Sequence, residues 1–140
     1  IELVRELNGV RYYNDSIASS PSRTIAGLRS FEQKIILIAG GKDKGIPYDA
    51  LGPEINEHVK LLILCGATAE VIRRAVAQAE NYAGLEIADV EDYREAVSLA
   101  RCRAEEGDVV MLSPASTSFD RFTNFMERGR VFKEIVNALK

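Results

Sequence analysis

The run Lys34-Ile35-Ile36-Leu37-Ile38-Ala39 constrains the fold more than any other stretch of the chain. It is apolar, largely β-branched and without polar alternation, the pattern of a strand covered on both faces. Such strands need parallel neighbours joined by helical crossovers. Leu61 to Cys65 and Asp108 to Leu112 repeat the pattern, and Glu86 to Ala88 reads as a short strand. Between and after them, Tyr48 to His58, Thr68 to Ala79, Asp92 to Ala104 and about Asp120 to Leu139 have helical spacing. Tyr93, Ala96, Val97 and Ala100 make one apolar stripe, and Phe122, Phe125, Phe132, Val136 and Leu139 make another. In front of the first buried run, Glu2 to Glu6 and Val10 to Asn14 meet at Asn8-Gly9, the dipeptide of a tight hairpin turn. Ser20 and Pro21 then suit the start of a helix reaching about Leu28. These patterns predict a single α/β domain over 1–140: three layers, a mostly parallel sheet opened by a hairpin, and helices on both faces.

Composition narrows the function classes. Eighteen basic against twenty-one acidic residues give a net charge of −3, so no global positive field draws the chain to nucleic acid or to an anionic membrane. No apolar run approaches the ~20 residues of a bilayer crossing. Cys65 and Cys102 read as reduced thiols, and a cytoplasmic protein is expected. Ile1 opens the sequence without Met or a leader, which suggests a piece of a longer polypeptide.

In an open parallel sheet, ligands bind beyond the carboxyl ends of the strands. Three loops rich in small residues fall there: Asn14 to Ser20, Gly40 to Gly45, and Ser113 to Phe119. The Gly40-Gly41-Lys42-Asp43-Lys44-Gly45 loop is either a receptor for a carboxylate or phosphate or a glycine turn with solvated lysines. Neither the Gly-Lys-Ser/Thr triplet of a P-loop nor a GxGxxG fingerprint occurs. Ser118 is the leading ligand contact of the third loop, with Thr117 or Ser118 as a plain helix cap the competing reading. Phe125 stands at helical spacing, where an aromatic is usually core. Asp15 either accepts hydrogen bonds from a ribose or serves its turn. Cys65 reads as a small buried residue and His58 as surface, and neither a metal set nor a Ser-His-Asp constellation forms around His58.

Three blocks taken together carry a family resemblance. Tyr12-Tyr13-Asn14-Asp15-Ser16-Ile17-Ala18-Ser19 is the first, and Ala39-Gly40-Gly41-Lys42-Asp43-Lys44-Gly45 the second. The third is Leu112-Ser113-Pro114-Ala115-Ser116-Thr117-Ser118-Phe119-Asp120, followed by Phe122, Asn124-Phe125 and Glu127-Arg128-Gly129. In order and over nearly the whole chain they resemble the C-terminal domain of the Mur ligases, and the first block favours the D-glutamate-adding member. The resemblance implies a cytoplasmic three-domain ligase of peptidoglycan precursor synthesis and a Rossmann-like fold for this part of it. UDP-N-acetylmuramoyl-L-alanine, ATP and Mg2+ would be held mainly by domains outside these residues, and the fragment alone is expected to be inactive. ATP would activate the alanyl carboxylate as an acyl phosphate, which the D-glutamate amine attacks. Ser19 and Lys44 would bind D-glutamate, Ser118, the Phe119 backbone and Phe125 would complete the pocket, and Asp15 would close over the nucleotide ribose. No catalytic or metal-binding residue is expected here, nor a nucleic-acid or membrane partner, and the protein is expected to be a monomer. Ile17 departs from the lysine common at that position, and Lys42 adds a second ammonium beside Lys44. A stand-alone Rossmann-like nucleotide-binding module is the alternative, and a docking domain for an acidic segment a third reading.

Overall fold

The computed structural model of the protein describes residues 1–118 and 121–140. The opening hairpin pairs β1 (Glu2–Leu7) with β2 (Val10–Asn14), and its turn uses the left-handed region at Asn8 (φ 55°) and Gly9 (φ 78°). Thereafter strand and helix alternate: α1 (Pro21–Leu28), β3 (Ile35–Ala39), α2 (Leu51–His58), β4 (Val59–Leu64), α3 (Ala69–Gln78), β5 (Glu86–Asp89), α4 (Tyr93–Arg103), β6 (Val109–Leu112) and α5 (Phe125–Asn137). The six strands lie in the order β1-β2-β6-β3-β4-β5. Every pair after the hairpin is parallel, as the unalternated apolar runs require.

The period-2 alternation of the strands divides the core into two. Ile35, Leu37 and Ala39 face α1, α2 and α3 through Leu28, Leu51, Ile55, Ile72 and Val76. Ile36 and Ile38 face α4 and α5 through Tyr93, Val97, Ala100, Phe132 and Val136. Both sides of β3 are therefore dry, and all five of its residues are buried. Because β6 inserts between β2 and β3 and hands the chain to the opposite face from β3, the crevice at their carboxyl ends is a topological switch point.

Two helix boundaries differ from the sequence expectation. The second helix starts at Leu51 rather than Tyr48, because the Tyr48 ring is buried and its hydroxyl donates to the Ala115 carbonyl at 2.9 Å. The last helix starts at Phe125, not near Asp120, and Asn124 caps it by accepting from the Glu127 amide at 2.9 Å. Thr117 and Ser118 are therefore not its caps. Ser20 makes no capping bond either, so α1 relies on Pro21 at its first turn.

Candidate functional site: a crevice at the carboxyl edge of the sheet

Three loops meet beyond the carboxyl ends of β2, β3 and β6. The Gly40 amide donates to the Pro114 carbonyl at 2.9 Å, and the Lys42 amide to the Thr117 carbonyl at 2.9 Å. The Ala115 amide donates to the Ala18 carbonyl at 2.9 Å, joining the first loop to the third. Gly41 is needed for close approach: a Cβ there would lie 2.5 Å from the Thr117 carbonyl oxygen. Beneath the backbone contacts runs a buried hydroxyl network. Thr68 Oγ1 accepts from the Gly41 amide at 2.9 Å and lies 2.8 Å from Ser116 Oγ, which is 3.0 Å from the Tyr48 hydroxyl. Burial pushes the Tyr48 phenol up, so it stays a neutral donor to Ala115. Ala115 itself, at φ 56°, is a non-glycine residue in the left-handed region.

Arg128 ties this assembly to α5. It is 1% exposed. Its Nε donates to Ser16 Oγ at 3.0 Å, Nη1 to the Ser116 carbonyl at 2.8 Å, and Nη2 to the Ser16 carbonyl at 2.7 Å and Ser19 Oγ at 3.4 Å. Ser16 Oγ in turn donates to the Phe125 carbonyl at 2.7 Å. Sequence reasoning gave Arg128, Thr68 and Tyr48 no role. A signal for Arg128 was available, since it sits three residues after Phe125 and four before Phe132, a basic residue on an apolar stripe.

The residues expected at a ligand site are distributed unevenly. Ser118, 3% exposed, lines a cavity of about 270 Å³ together with Gly41, Cys65, Tyr93, Phe122 and Arg128. Phe125, 38% exposed and so not core, lines a neighbouring groove with Asn14, Ser16, Ile17 and Met126. Ser19 is half-buried and lines neither hollow, reaching the site through Arg128. Lys42 and Lys44 are both exposed on the β3–α2 loop, and neither lines these hollows. Asp15 is buried and turned inward, its Oδ2 accepting from Ser113 Oγ at 2.8 Å. Burial raises its carboxyl above the ordinary value, against the lowering effect of that bond. Phe119 lies outside the described residues.

The donor set suits a small zwitterion or anion better than a metal–nucleotide complex. Hydroxyls, the Arg128 guanidinium and a glycine-rich backbone line the crevice, with Lys42 and Lys44 exposed on the loop beside it, and the Gly-Lys-Ser/Thr cradle that grips a polyphosphate does not occur. Among the described residues the group of His, Cys, Asp or Glu able to share an ion is Glu54, Glu57 and His58, within 4.8 Å of one another. Sequence reading had found no metal set at His58, and it missed this helical grouping. It stands at the carboxyl end of α2, at the opposite edge of the sheet from the crevice, and Glu54 is already paired with Arg29. His58 is half-buried rather than a surface residue. No described helix is long and apolar enough to cross a membrane.

Comparison with known proteins agrees with this architecture. A family described as "Mur ligase, glutamate ligase domain" matches residues 1–116. The UDP-N-acetylmuramoylalanine–D-glutamate ligases of Ruminiclostridium cellulolyticum and Acetivibrio thermocellus are each 58% identical over 144 residues, covering 100% of this chain. The one from Clostridium beijerinckii is 55% identical over 140 residues and 99% of the chain. The chain spans 31% of the length of these relatives. Among solved structures, a murein peptide ligase from Psychrobacter arcticus superposes with a TM-score of 0.61 at 13% identity, over 99% of this chain and 30% of that one. A UDP-N-acetylmuramoyl-L-alanyl-D-glutamate–2,6-diaminopimelate ligase follows at 0.57 and 15%, over 99% and 32%. At such identities the superpositions speak to the fold alone, whereas the sequence match over most of its length places this chain in the Mur ligase family, as a glutamate ligase domain.

Proposed function

We propose that this chain is the amino-acid-binding C-terminal domain of a three-domain, ATP-dependent ligase that joins D-glutamate to UDP-N-acetylmuramoyl-L-alanine. The observation that carries the reading is the convergence of three loops on one crevice, in a chain 58% identical throughout to proteins named for that reaction. Lys44 supplies an ammonium for a carboxylate of D-glutamate, and the Ser19 and Ser118 hydroxyls supply directed hydrogen bonds. By the family resemblance, the Phe119 backbone and the Phe125 ring would add further contacts to the amino acid. The chain's contribution is orientation: an amine held against its electrophile gains several kcal/mol, about 7–11 in the best intramolecular cases, from freedom surrendered on binding.

ATP and Mg2+ find no fitting donor set among the described residues of the crevice, and the rest of the ligase would hold them. A ribose contact from Asp15 requires it to exchange Ser113 for the sugar hydroxyls as the domains close. Exposed Lys44 fits the same view, because a side chain awaiting a ligand at an interdomain surface stays solvated until closure.

The test is steady-state kinetics of the complete ligase carrying Lys44→Ala. The D-glutamate KM is expected to rise about tenfold or more, the loss of one charge-assisted contact, with the ATP KM within about twofold. Unchanged D-glutamate kinetics would overturn the assignment.

A further inference from the structure

Resting on the proposed function, we infer that Arg128 is the positioning residue that sets the spacing of the D-glutamate contacts. Arg128 does not itself need to touch the amino acid. Its guanidinium donates to three acceptors on the first loop, Ser16 Oγ, the Ser16 carbonyl and Ser19 Oγ, and to one on the third loop, the Ser116 carbonyl, two residues before Ser118. Through Ser16 Oγ the same unit fixes the Phe125 carbonyl at the start of α5. Three contacts that lie far apart along the chain are thereby referred to one rigid planar group.

The chemistry requires arginine. A guanidinium presents five N–H donors in a fixed fork, so acceptors on two loops can be set at once without rotational freedom between them. Lysine would bring one ammonium on a flexible stem and could not span Ser16 Oγ, the Ser16 carbonyl and the Ser116 carbonyl in one geometry. Burial reinforces the effect, since the desolvated charge must keep its acceptors in place. The apolar stripe of α5 supplies the anchor: Phe132 and Val136, one and two turns on, are fully buried beneath it. Gly129 leaves room for the same arrangement, because a Cβ there would lie 2.9 Å from Asn14 Nδ2 and 3.2 Å from Ser16 Cβ.

The experiment uses the complete ligase with Arg128→Lys and, separately, Ser16→Ala, and measures KM for D-glutamate, ATP and UDP-N-acetylmuramoyl-L-alanine alongside kcat and the thermal midpoint. Arg128→Lys is expected to raise the D-glutamate KM about tenfold or more and Ser16→Ala about threefold to tenfold, with the other two KM values within about twofold. A D-glutamate KM unchanged in both folded variants overturns the inference. So does a drop in kcat shared by all substrates together with a lowered midpoint, which is the mark of a purely structural arginine. Should Arg128→Lys fail to fold, Ser16→Ala decides alone, because it keeps every Arg128 donor and removes one acceptor together with that hydroxyl's link to the Phe125 carbonyl. A wild-type ligase that does not use D-glutamate would defeat the proposed function instead. In that case amide chemical shifts of this chain decide the positioning claim: Ser16→Ala must move Ser19 and Phe125, and their invariance overturns it.

Discussion

Replacing Gly41 by alanine tests whether the β3–α2 and β6–α5 loops truly meet. Gly41 is not in the left-handed region, so alanine meets no left-handed strain there. The whole effect is contact. An added Cβ would lie 2.5 Å from the Thr117 carbonyl oxygen and 3.0 Å from Ser116 Cβ. Reaching ordinary van der Waals distance requires the loops to part by about 0.9 Å. That opening lengthens the 2.9 Å bond from the Lys42 amide to the Thr117 carbonyl beyond hydrogen-bonding range. A carbonyl so deprived within a buried segment costs about 1–3 kcal/mol, while alanine's smaller unfolded-state entropy returns about 0.4–1 kcal/mol. The net loss is about 1–2 kcal/mol, or roughly 3–8 °C in Tm for a domain of this size. Urea unfolding of this chain measures it, with the slope unchanged, and the amide shifts of Ser116 to Ser118 should move. Gly45→Ala is the control: its Cβ would meet nothing within 4 Å, and its φ of +75° brings only left-handed strain, leaving the Ser116–Ser118 amides unmoved. A Gly41→Ala protein as stable as wild type, with those amides unshifted, would refute the convergence and restore the reading of a solvated glycine turn.

Three further outcomes follow from the same geometry. Because burial raises the Asp15 carboxyl above 3.8, the fold binds its proton more tightly than the unfolded chain. Its contribution is fully present below that ordinary value and is lost as pH rises through the raised one, so Asp15→Asn should gain on wild type across that window; a stability difference constant with pH would contradict this. Phe132→Ala removes a fully buried ring packed edge-on to Tyr93 at 6.4 Å and should cost about 3–5 kcal/mol in urea unfolding. Asn124→Ala deletes the α5 cap and should cost about 1 kcal/mol, with faster amide exchange at Glu127.

The centre of the sheet was legible because β3, β4 and β6 are buried on both faces, and short β-branched apolar runs such as Lys34 to Ala39 and Asp108 to Leu112 suit such strands. Helix starts were less so. Tyr48 and Phe122 match the helical period yet belong to loops, because a buried hydroxyl at Tyr48 and a polar cap at Asn124 take precedence over spacing. The three loops were identifiable as small-residue segments after strands. Their joinery was not, since the Thr68–Ser116–Tyr48 network and the Arg128 fork link residues up to 112 positions apart. Asp15 illustrates the limit. As an acid at a strand end it reads as a ligand contact, and only the fold reveals that Ser113 already occupies it.

The most direct test of the account is a structure of the complete ligase with D-glutamate bound. The amino acid should lie in the crevice with the Ser19 and Ser118 hydroxyls and the Lys44 ammonium within hydrogen-bonding distance, and Arg128 should still span Ser16 and Ser116. D-glutamate bound away from these loops, with Lys44 and Ser118 contacting nothing, would contradict it.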